Sequence, residues 1–377
     1  MTKPKIYFLV NSLEGGGAER VITNVSSKLR ENYEIDIITL KAGTFYDIPE
    51  WVNHISLSNI RHNFLLIVLF PLFLFRWNNL LKTWNYKNGV SFLEIANFIH
   101  ILSRPDAIIS FRTSIGVFKG LFWFFYKSLI RILYPRAKQI IVNSEENRFE
   151  LAEYLNLPLD KITTIYNPID TQKVAKDAQE AIDDSLKNQI AWKRVFITVS
   201  RLVADDAIGS KNHSLVLNIF KRLLEKWEKN FIYLIVWDGP ALDALEDQVK
   251  WDWLKDHVVF LGKQRNVFKY LAVSDYVIYA SRHEWFPNAL IEAMAVSVPI
   301  ITSNFKTGAH EVITGEYTNG ASSYPLFWAN GVILDINHFE EQFFDIYEKI
   351  YLIKNEKRWI EHFENAEQSF EKVLRSV

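Results

Sequence analysis

Lys5-Ile-Tyr-Phe-Leu-Val10, Gly15-Gly16-Gly17, Ala18-Glu-Arg-Val-Ile-Thr-Asn-Val-Ser-Ser-Lys-Leu-Arg30 and Glu34-Ile-Asp-Ile-Ile-Thr-Leu40 follow one another at the start of the chain, and their reading decides the fold. The first piece is a short, unbroken apolar run ended by Asn11, as expected of a parallel strand buried on both faces. The glycines form a turn. The third piece has apolar residues at helical spacing, and the fourth reads as a second strand. Strand, loop, helix and strand open a doubly wound α/β domain, because neighbouring parallel strands need a crossover. Ala107-Ile-Ile-Ser-Phe111, Gln139-Ile-Ile-Val142 and Ile162-Thr-Thr-Ile-Tyr166 read as further strands of that sheet, and Asn167-Pro168 ends the series.

The pattern then restarts. Residues 171–192 are polar and read as a linker with some helix. Val195-Phe-Ile-Thr-Val199, Phe231-Ile-Tyr-Leu-Ile-Val236, His257-Val-Val-Phe-Leu261, Tyr276-Val-Ile-Tyr279 and Pro299-Ile-Ile-Thr302 are strands, and Leu215 to Trp227 is helical between the first two. Residues 1–170 and 193–356 are therefore expected to be two Rossmann-like domains, with their strand carboxyl ends facing a central cleft. Phe339 to Lys354 reads as helix, and a last helix over about 357–377 is expected to pack back on the first domain.

Composition limits the function. The 377 residues carry a formal charge of −1, so strong nucleic-acid binding is not implied. The absence of cysteine excludes disulfides, thiolate catalysis and Cys-ligated metal sites, and fits a reducing, cytoplasmic compartment. Aromatic residues are abundant at 15%, and two of the stretches rich in them hold basic residues without any acid: residues 51–93 and 107–144. The first contains Phe64-Leu-Leu-Ile-Val-Leu-Phe-Pro-Leu-Phe-Leu-Phe75, and the second Leu121-Phe-Trp-Phe-Phe-Tyr126. The Phe64–Phe75 run is about 18 Å long as a helix. It is too short to span a bilayer, which takes about 20 residues. Tyr7–Val10 lacks the pattern of a signal peptide. Two readings of the Phe64–Phe75 run stand: a helix lying in an anionic headgroup layer, or a core helix.

Three places could carry chemistry. Gly15–Gly17 could bring backbone N–H groups to a phosphate at a helix start, or could simply make a tight turn. The spacing is not that of a dinucleotide site. Arg201 and Lys211 follow the first strand of the second series and could neutralise a diphosphate, or be solvated loop charges. Asp205 and Asp206 lie between them, but nothing supports a metal cage, and no metal is expected. The third place is His283-Glu-Trp-Phe-Pro-Asn-Ala-Leu-Ile-Glu-Ala-Met-Ala295. Glu284 lies in a loop, Pro287 suits a first helical turn, and Glu292 lies on the helix eight residues after Glu284. The two carboxylates can reach different parts of one ligand while the helix start faces an anion. Glu292 alternatively is a solvated face residue.

The Glu284…Glu292 segment resembles the signature of retaining nucleotide-sugar glycosyltransferases of family 4, which have the GT-B fold. Gly16-Gly17-Ala18-Glu19-Arg20, Val142-Asn-Ser-Glu145, Ile165-Tyr-Asn-Pro-Ile-Asp170, Val199-Ser-Arg-Leu-Val203, Asp238-Gly239-Pro240 and Ser274-Asp275 resemble the same family and fall in its order. The resemblance implies that Arg201 and Lys211 contact the nucleotide diphosphate and that Glu292 binds the ribose. It puts Glu284 near the donor sugar. Phe286, Pro287, Asn288, Ala289 and Leu290 line sugar and diphosphate, and Gly16 and Gly17 face the diphosphate across the cleft. The first domain binds the acceptor. No metal or other cofactor is needed.

Three departures stand out. Nine residues (Leu202 to Ser210) separate Arg201 from Lys211, more than is usual in the family. Trp237, two before Gly239, replaces a family glycine beside the nucleotide. Arg112 and Thr113 stand where many relatives have an acceptor-side His, and Arg112 reads either as a phosphate contact or as a structural cation. The implied function is transfer of a hexose or N-acetylhexosamine, from UDP, to a lipid-linked or cell-envelope saccharide, at the inner face of the cytoplasmic membrane. The alternative is a non-catalytic sugar-nucleotide-binding or scaffolding protein of the same fold.

Overall fold

The computed structural model describes residues 3–14, 17–44, 48–62, 64–115, 121–204, 211–284, 286–306, 308–317, 323–353, 356 and 359–376. The chain divides into two compact units. The first holds residues 1–168 and 362–377, and the second holds 169–361.

In the first unit the described strands are β1 (Lys5–Val10), β2 (Glu34–Thr39), β3 (Asn53–Ser56), β4 (Asn88–Phe92), β5 (Ile108–Phe111), β6 (Gln139–Val142) and β7 (Ile162–Thr164). They form a parallel sheet in the order β3-β2-β1-β4-β5-β6-β7. The order reverses between β1 and β4, and at such a point the connections leave to opposite faces and open a crevice at the strand carboxyl ends. Sequence periodicity does not reveal β4, because Asn88-Gly-Val-Ser-Phe92 has no apolar run. Its fit explains its composition. Tyr7 of β1 pairs with Gly89, and a Cβ on Gly89 would lie 2.4 Å from the Tyr7 ring. Only glycine leaves room for that ring.

The helices Gly17–Leu29 and Ala366–Arg375 cover one face of this sheet, placing Val21, Ile22, Val25, Phe370 and Leu374 in a single core. Residues 64–83 form the helices Phe64–Val68 and Phe70–Thr83. Leu66, Phe73 and Trp77 from them enter the opposite core, while Ile67, Val68 and Phe75 are exposed. The Phe64–Phe75 run is therefore neither wholly core nor wholly surface.

In the second unit, β8 (Arg194–Val199), β9 (Phe231–Val236), β10 (Val258–Gly262), β11 (Tyr276–Tyr279), β12 (Ile300–Ser303), β13 (Leu326–Trp328) and β14 (Gly331–Leu334) run in the order β10-β9-β8-β11-β12-β14-β13. All pair in parallel except β13, which is antiparallel to β14. The reversal lies between β8 and β11. Both units are thus Rossmann-like α/β domains. Residues 171–190 form two short helices, Thr171–Asp177 and Asp184–Ile190, N-capped by Asp170 and Asp183, and group with the second unit. Val174 and Leu186 are buried, so the segment is folded rather than a loose tether.

No helix among the described residues is long and apolar enough to cross a membrane.

Candidate functional site

The second unit gathers its chemistry at its strand reversal. After β8 come Ser200 and the exposed Arg201. The chain returns at Lys211, and Asn212 (φ 48°) leads into the helix His213–Glu225. After β11 come Ser281 and Glu284, then the helix Asn288–Ala295. The two loops are tied together. The Lys211 ammonium donates to the Glu284 carboxylate. The Ser281 hydroxyl donates to the same carboxylate oxygen at 2.7 Å. The Asn212 amide donates to the Ala280 carbonyl at 2.8 Å. Lys211 and Glu284 are only 15% and 9% exposed, so the pair is largely screened from water. The Lys211 ammonium also lies 6.0 Å from the centroid of the Tyr279 ring. Burial first, then the Glu284 charge, raises the Tyr279 hydroxyl well above the usual tyrosine range and keeps it a donor.

The loops after β8 and β9 are tied by backbone. Leu202 N–H donates to Asp238 at 3.1 Å, and Ala241 N–H to Leu202 at 3.2 Å. A Cβ on Gly239 would lie 2.0 Å from the Leu202 carbonyl oxygen. Gly239 is therefore required for this close approach, a structural reason independent of any ligand. Trp237 is half-buried with φ 126°, and the Lys263 ammonium sits 5.4 Å from its ring centroid.

Beyond Glu284, Phe286 holds φ 121°, a region costly for a bulky residue. Its buried ring fills the space over Gly308, where a Cβ would lie 2.5 Å away. Pro287 ends the loop and accepts from Leu290 N–H at 3.1 Å. Leu290 is wholly enclosed, Asn288 and Ala289 are half-buried, and Glu292 is 4% exposed. Glu292 is thus a buried carboxylate on the helix and not a solvated face residue.

At the reversal of the first unit, Asn11 follows β1 and its side-chain oxygen accepts from Ala96 N–H at 3.3 Å. Gly17 begins its helix and is exposed. Gly16 lies outside the described residues, as do Asp205 and Asp206. After β4, Leu93 (φ 70°) turns the chain so that Glu94 starts the helix Glu94–Ser103. The Thr113 hydroxyl donates to Glu94 at 2.9 Å. Burial pushes the Glu94 carboxyl above the ordinary carboxylate range, against the hydrogen bonds that favour its charged form. Sequence reading misses Glu94 because it misses β4.

Arg112 is 5% exposed. It donates to Ser110 Oγ at 2.9 Å and to Asn167 Oδ1, and lies 5.2 Å and 5.9 Å from the Phe92 and Phe370 rings. Burial lowers its pKa to about 9. Those contacts are those of a cation built into the core. Among the described residues, no group of three or more His, Asp or Glu side chains is arranged to hold a metal ion.

Comparisons with known proteins bear on the family and the fold. Residues 15–173 match the model of Glycosyltransferase Family 4, and residues 176–334 that of Glycosyl transferases group 1. The N-acetylgalactosamine-N,N'-diacetylbacillosaminyl-diphospho-undecaprenol 4-alpha-N-acetylgalactosaminyltransferase of Campylobacter jejuni is 30% identical over 322 residues, 82% of this chain and 83% of the relative. A second Campylobacter jejuni relative, a GalNAc-alpha-(1->4)-GalNAc-alpha-(1->3)-diNAcBac-PP-undecaprenol alpha-1,4-N-acetyl-D-galactosaminyltransferase, is 25% identical over 316 residues, 82% of each chain. Among solved structures, Anabaena HepE in complex with UDP superposes with a TM-score of 0.70 at 17% identity, covering 99% of this chain and 100% of that one. The chain therefore belongs to the glycosyltransferases of the family 4 type, built on the GT-B fold.

Proposed function

We propose that this glycosyltransferase moves a hexose or N-acetylhexosamine from a UDP-sugar to a hydroxyl of a lipid-linked or cell-envelope saccharide, with retention at the anomeric carbon and without a metal. The observation that carries the reading is the Lys211–Glu284 pair, set with Ser281 at the strand reversal of the second unit. The pair is close to neutral overall. Arg201 and the start of the helix Asn288–Ala295 then supply the positive field for a diphosphate, and Glu284 keeps acceptor capacity for a sugar hydroxyl. Glu292 is the proposed partner of the ribose hydroxyls, and the backbone of Phe286 to Leu290, with Trp237 and Gly239, lines the donor. As the anomeric carbon leaves the phosphate oxygen, that oxygen takes the acceptor's proton on the same face of the sugar. The new bond forms there, so no protein base is required. Lys211 and Arg201 act by stabilising the charge on the departing diphosphate.

The relatives named above act on undecaprenyl-linked glycans, and HepE was crystallised with UDP. These support the donor and acceptor classes. For the acceptor we place Glu94 and Thr113 at the reversal of the first unit as hydrogen-bonding groups for sugar hydroxyls, with Arg112 beneath as support. We also propose peripheral attachment to the inner face of an anionic membrane. The helix Leu121–Leu133 turns Ile130 and Leu133 into the core, yet exposes Phe124, Phe125, Leu129 and Ile132 alongside Arg131. Such a face suits a headgroup layer.

The test is transfer from UDP-sugars to an undecaprenyl-diphosphate-linked oligosaccharide, with the product's anomeric configuration read by NMR. Glu284→Ala should abolish transfer while exposed Lys250→Ala leaves it unchanged. Equal activity in both variants would overturn the assignment.

A further inference from the structure

Ten described residues other than glycine hold φ between 48° and 126°, and five of them are tryptophans: Trp192 (65°), Trp227 (65°), Trp237 (126°), Trp253 (59°) and Trp359 (69°). In this region a Cβ crowds the backbone, and an indole cannot bond to its own main chain as an asparagine can. At Trp192, Trp227 and Trp253 the conformation is set by backbone hydrogen bonds around the residue.

Trp227 and Trp253 each follow a helix and occupy the position that helix ends reserve for glycine. Glu228 N–H reaches Leu223 at 3.0 Å and Trp227 N–H reaches Leu224 at 2.9 Å; Leu254 N–H reaches Val249 at 3.0 Å and Trp253 N–H reaches Lys250 at 3.4 Å. This paired pattern requires a left-handed residue just past the helix. Trp192 is the third residue of a four-residue turn closed by Lys193 N–H to Ile190 at 3.0 Å. Ala191 before it has φ −53° and ψ 125°, which makes this the turn type that wants glycine where Trp192 stands. Trp237 shares its φ with Gly43 (127°) and Gly308 (122°).

Packing does not offset the strain at three of these positions. Trp192, Trp227 and Trp253 are 95%, 82% and 87% exposed. Composition points the same way. At ordinary usage of about 7%, a chain of this length carries about 26 glycines. This one has 14 glycines and 12 tryptophans.

We infer that positions 192, 227, 237, 253 and 359 are glycine positions, and that the polypeptide made in its natural host carries glycine at them. A single codon accounts for the exchange. UGA differs by one base from the tryptophan codon UGG and by one from the glycine codon GGA, and the tRNA set of the cell decides how it is read. The inference rests on backbone geometry and stands whether or not the donor reading does. Its functional weight falls on 237, at the carboxyl end of β9 and two residues before Gly239. Glycine there removes an indole from the edge of the candidate donor site and uncovers the Lys263 ammonium stacked on it.

Peptide mass spectrometry of the protein isolated from its natural host tests this directly. Glycine is expected at all five positions, and tryptophan at them would overturn the inference. The recombinant tryptophan-bearing chain gives an independent check by thermal melting. Each single Trp→Gly change at the five positions should hold or raise Tm, and the five together should raise it by several degrees. Trp77→Gly, at a buried position inside a right-handed helix, should lower it. A fall in Tm at the five positions comparable with that of Trp77→Gly would overturn the inference.

Discussion

The Lys211 ammonium and the Glu284 carboxylate, 73 residues apart in the chain, are bonded across the strand reversal of the second unit, and the Ser281 hydroxyl holds the same carboxylate oxygen. Removing one partner leaves a poorly solvated charge on the other. Lys211→Met should therefore destabilise the protein by about 3 kcal/mol, mostly through the orphaned Glu284. Lys211→Met with Glu284→Gln should recover most of that loss and still fail to transfer sugar. Urea unfolding with activity assays on the parent chain, the single variant and the double variant checks it. A double variant no more stable than Lys211→Met would contradict the coupling.

Gly239 makes a sharper steric prediction. A methyl group there has no room beside the Leu202 carbonyl, and the obstacle is backbone rather than a side chain that can swing away. Gly239→Ala should cost about 3 kcal/mol or more and should weaken UDP binding by displacing the Arg201 loop. Gly262→Ala is the comparison, since nothing lies within 4 Å of a Cβ at Gly262. Its positive φ of 65° gives a penalty of backbone origin only, about 1 kcal/mol. Isothermal titration with UDP and chemical denaturation separate the two effects.

A third prediction concerns acid. Burial, with the Lys211 charge beside it, holds the His213 imidazole down at about 4, against an ordinary 6.5. Between those values the unfolded chain binds a proton that the native state does not, so stability rises with pH. It should be intact above pH 6.5, fall as pH drops towards 4, and lose up to about 3 kcal/mol from this group. His100, lowered to about 3 chiefly by burial, steepens the same limb. In His213→Asn, ΔG measured at pH 7, 6 and 5 should decline less than in the parent chain. Identical slopes would rule His213 out as a source.

These sites were unequally legible. Strands buried on both faces announce themselves as apolar runs, and β1, β6, β9 and β11 are read from sequence with their observed bounds. β4 is not, because a glycine beneath the Tyr7 ring and small polar residues replace the run. With β4 goes Glu94, whose position has meaning only once the strand before it is known. The Glu284 segment is legible because a proline and a helix start lie between its two carboxylates. The ion pair to Lys211 is not, since it depends on the strand order β8-β11. Arg112 shows the converse limit: a cation at a strand end reads equally as a phosphate contact or as a structural cation, and the Phe92, Phe370 and Asn167 contacts that enclose it are remote in sequence.

Glu94 carries the fourth prediction. Its carboxyl is raised by burial and accepts from Thr113. Glu94→Gln keeps the shape and removes the charge, and should raise the KM for the glycan acceptor roughly tenfold, about 1.4 kcal/mol, with the donor KM unchanged. In the parent enzyme, kcat/KM for the acceptor should drop on the acid side at a pH above the ordinary carboxylate range, as the group protonates. The variant should lack that limb. Loss of donor binding instead would place Glu94 in a structural role.

The exposed face of the helix Leu121–Leu133 gives the last prediction. Phe125 and Leu129 are one turn apart and 62% and 44% exposed, so Phe125→Ser with Leu129→Ser should leave the fold intact. If that face enters a headgroup layer, the two side chains together contribute about 3 kcal/mol to partitioning, a hundredfold in affinity. Arg131→Ala should remove about 1 kcal/mol more on anionic vesicles, and nothing on neutral ones. The hydrophobic variant should weaken binding to both vesicle types, and added salt should weaken only the binding to anionic vesicles. Activity separates attachment from catalysis: transfer to a detergent-dispersed acceptor should be unchanged in both variants, while transfer to the same acceptor in vesicles should fall. Full binding of the Phe125→Ser, Leu129→Ser protein to anionic vesicles at low salt would remove this face from any role in attachment.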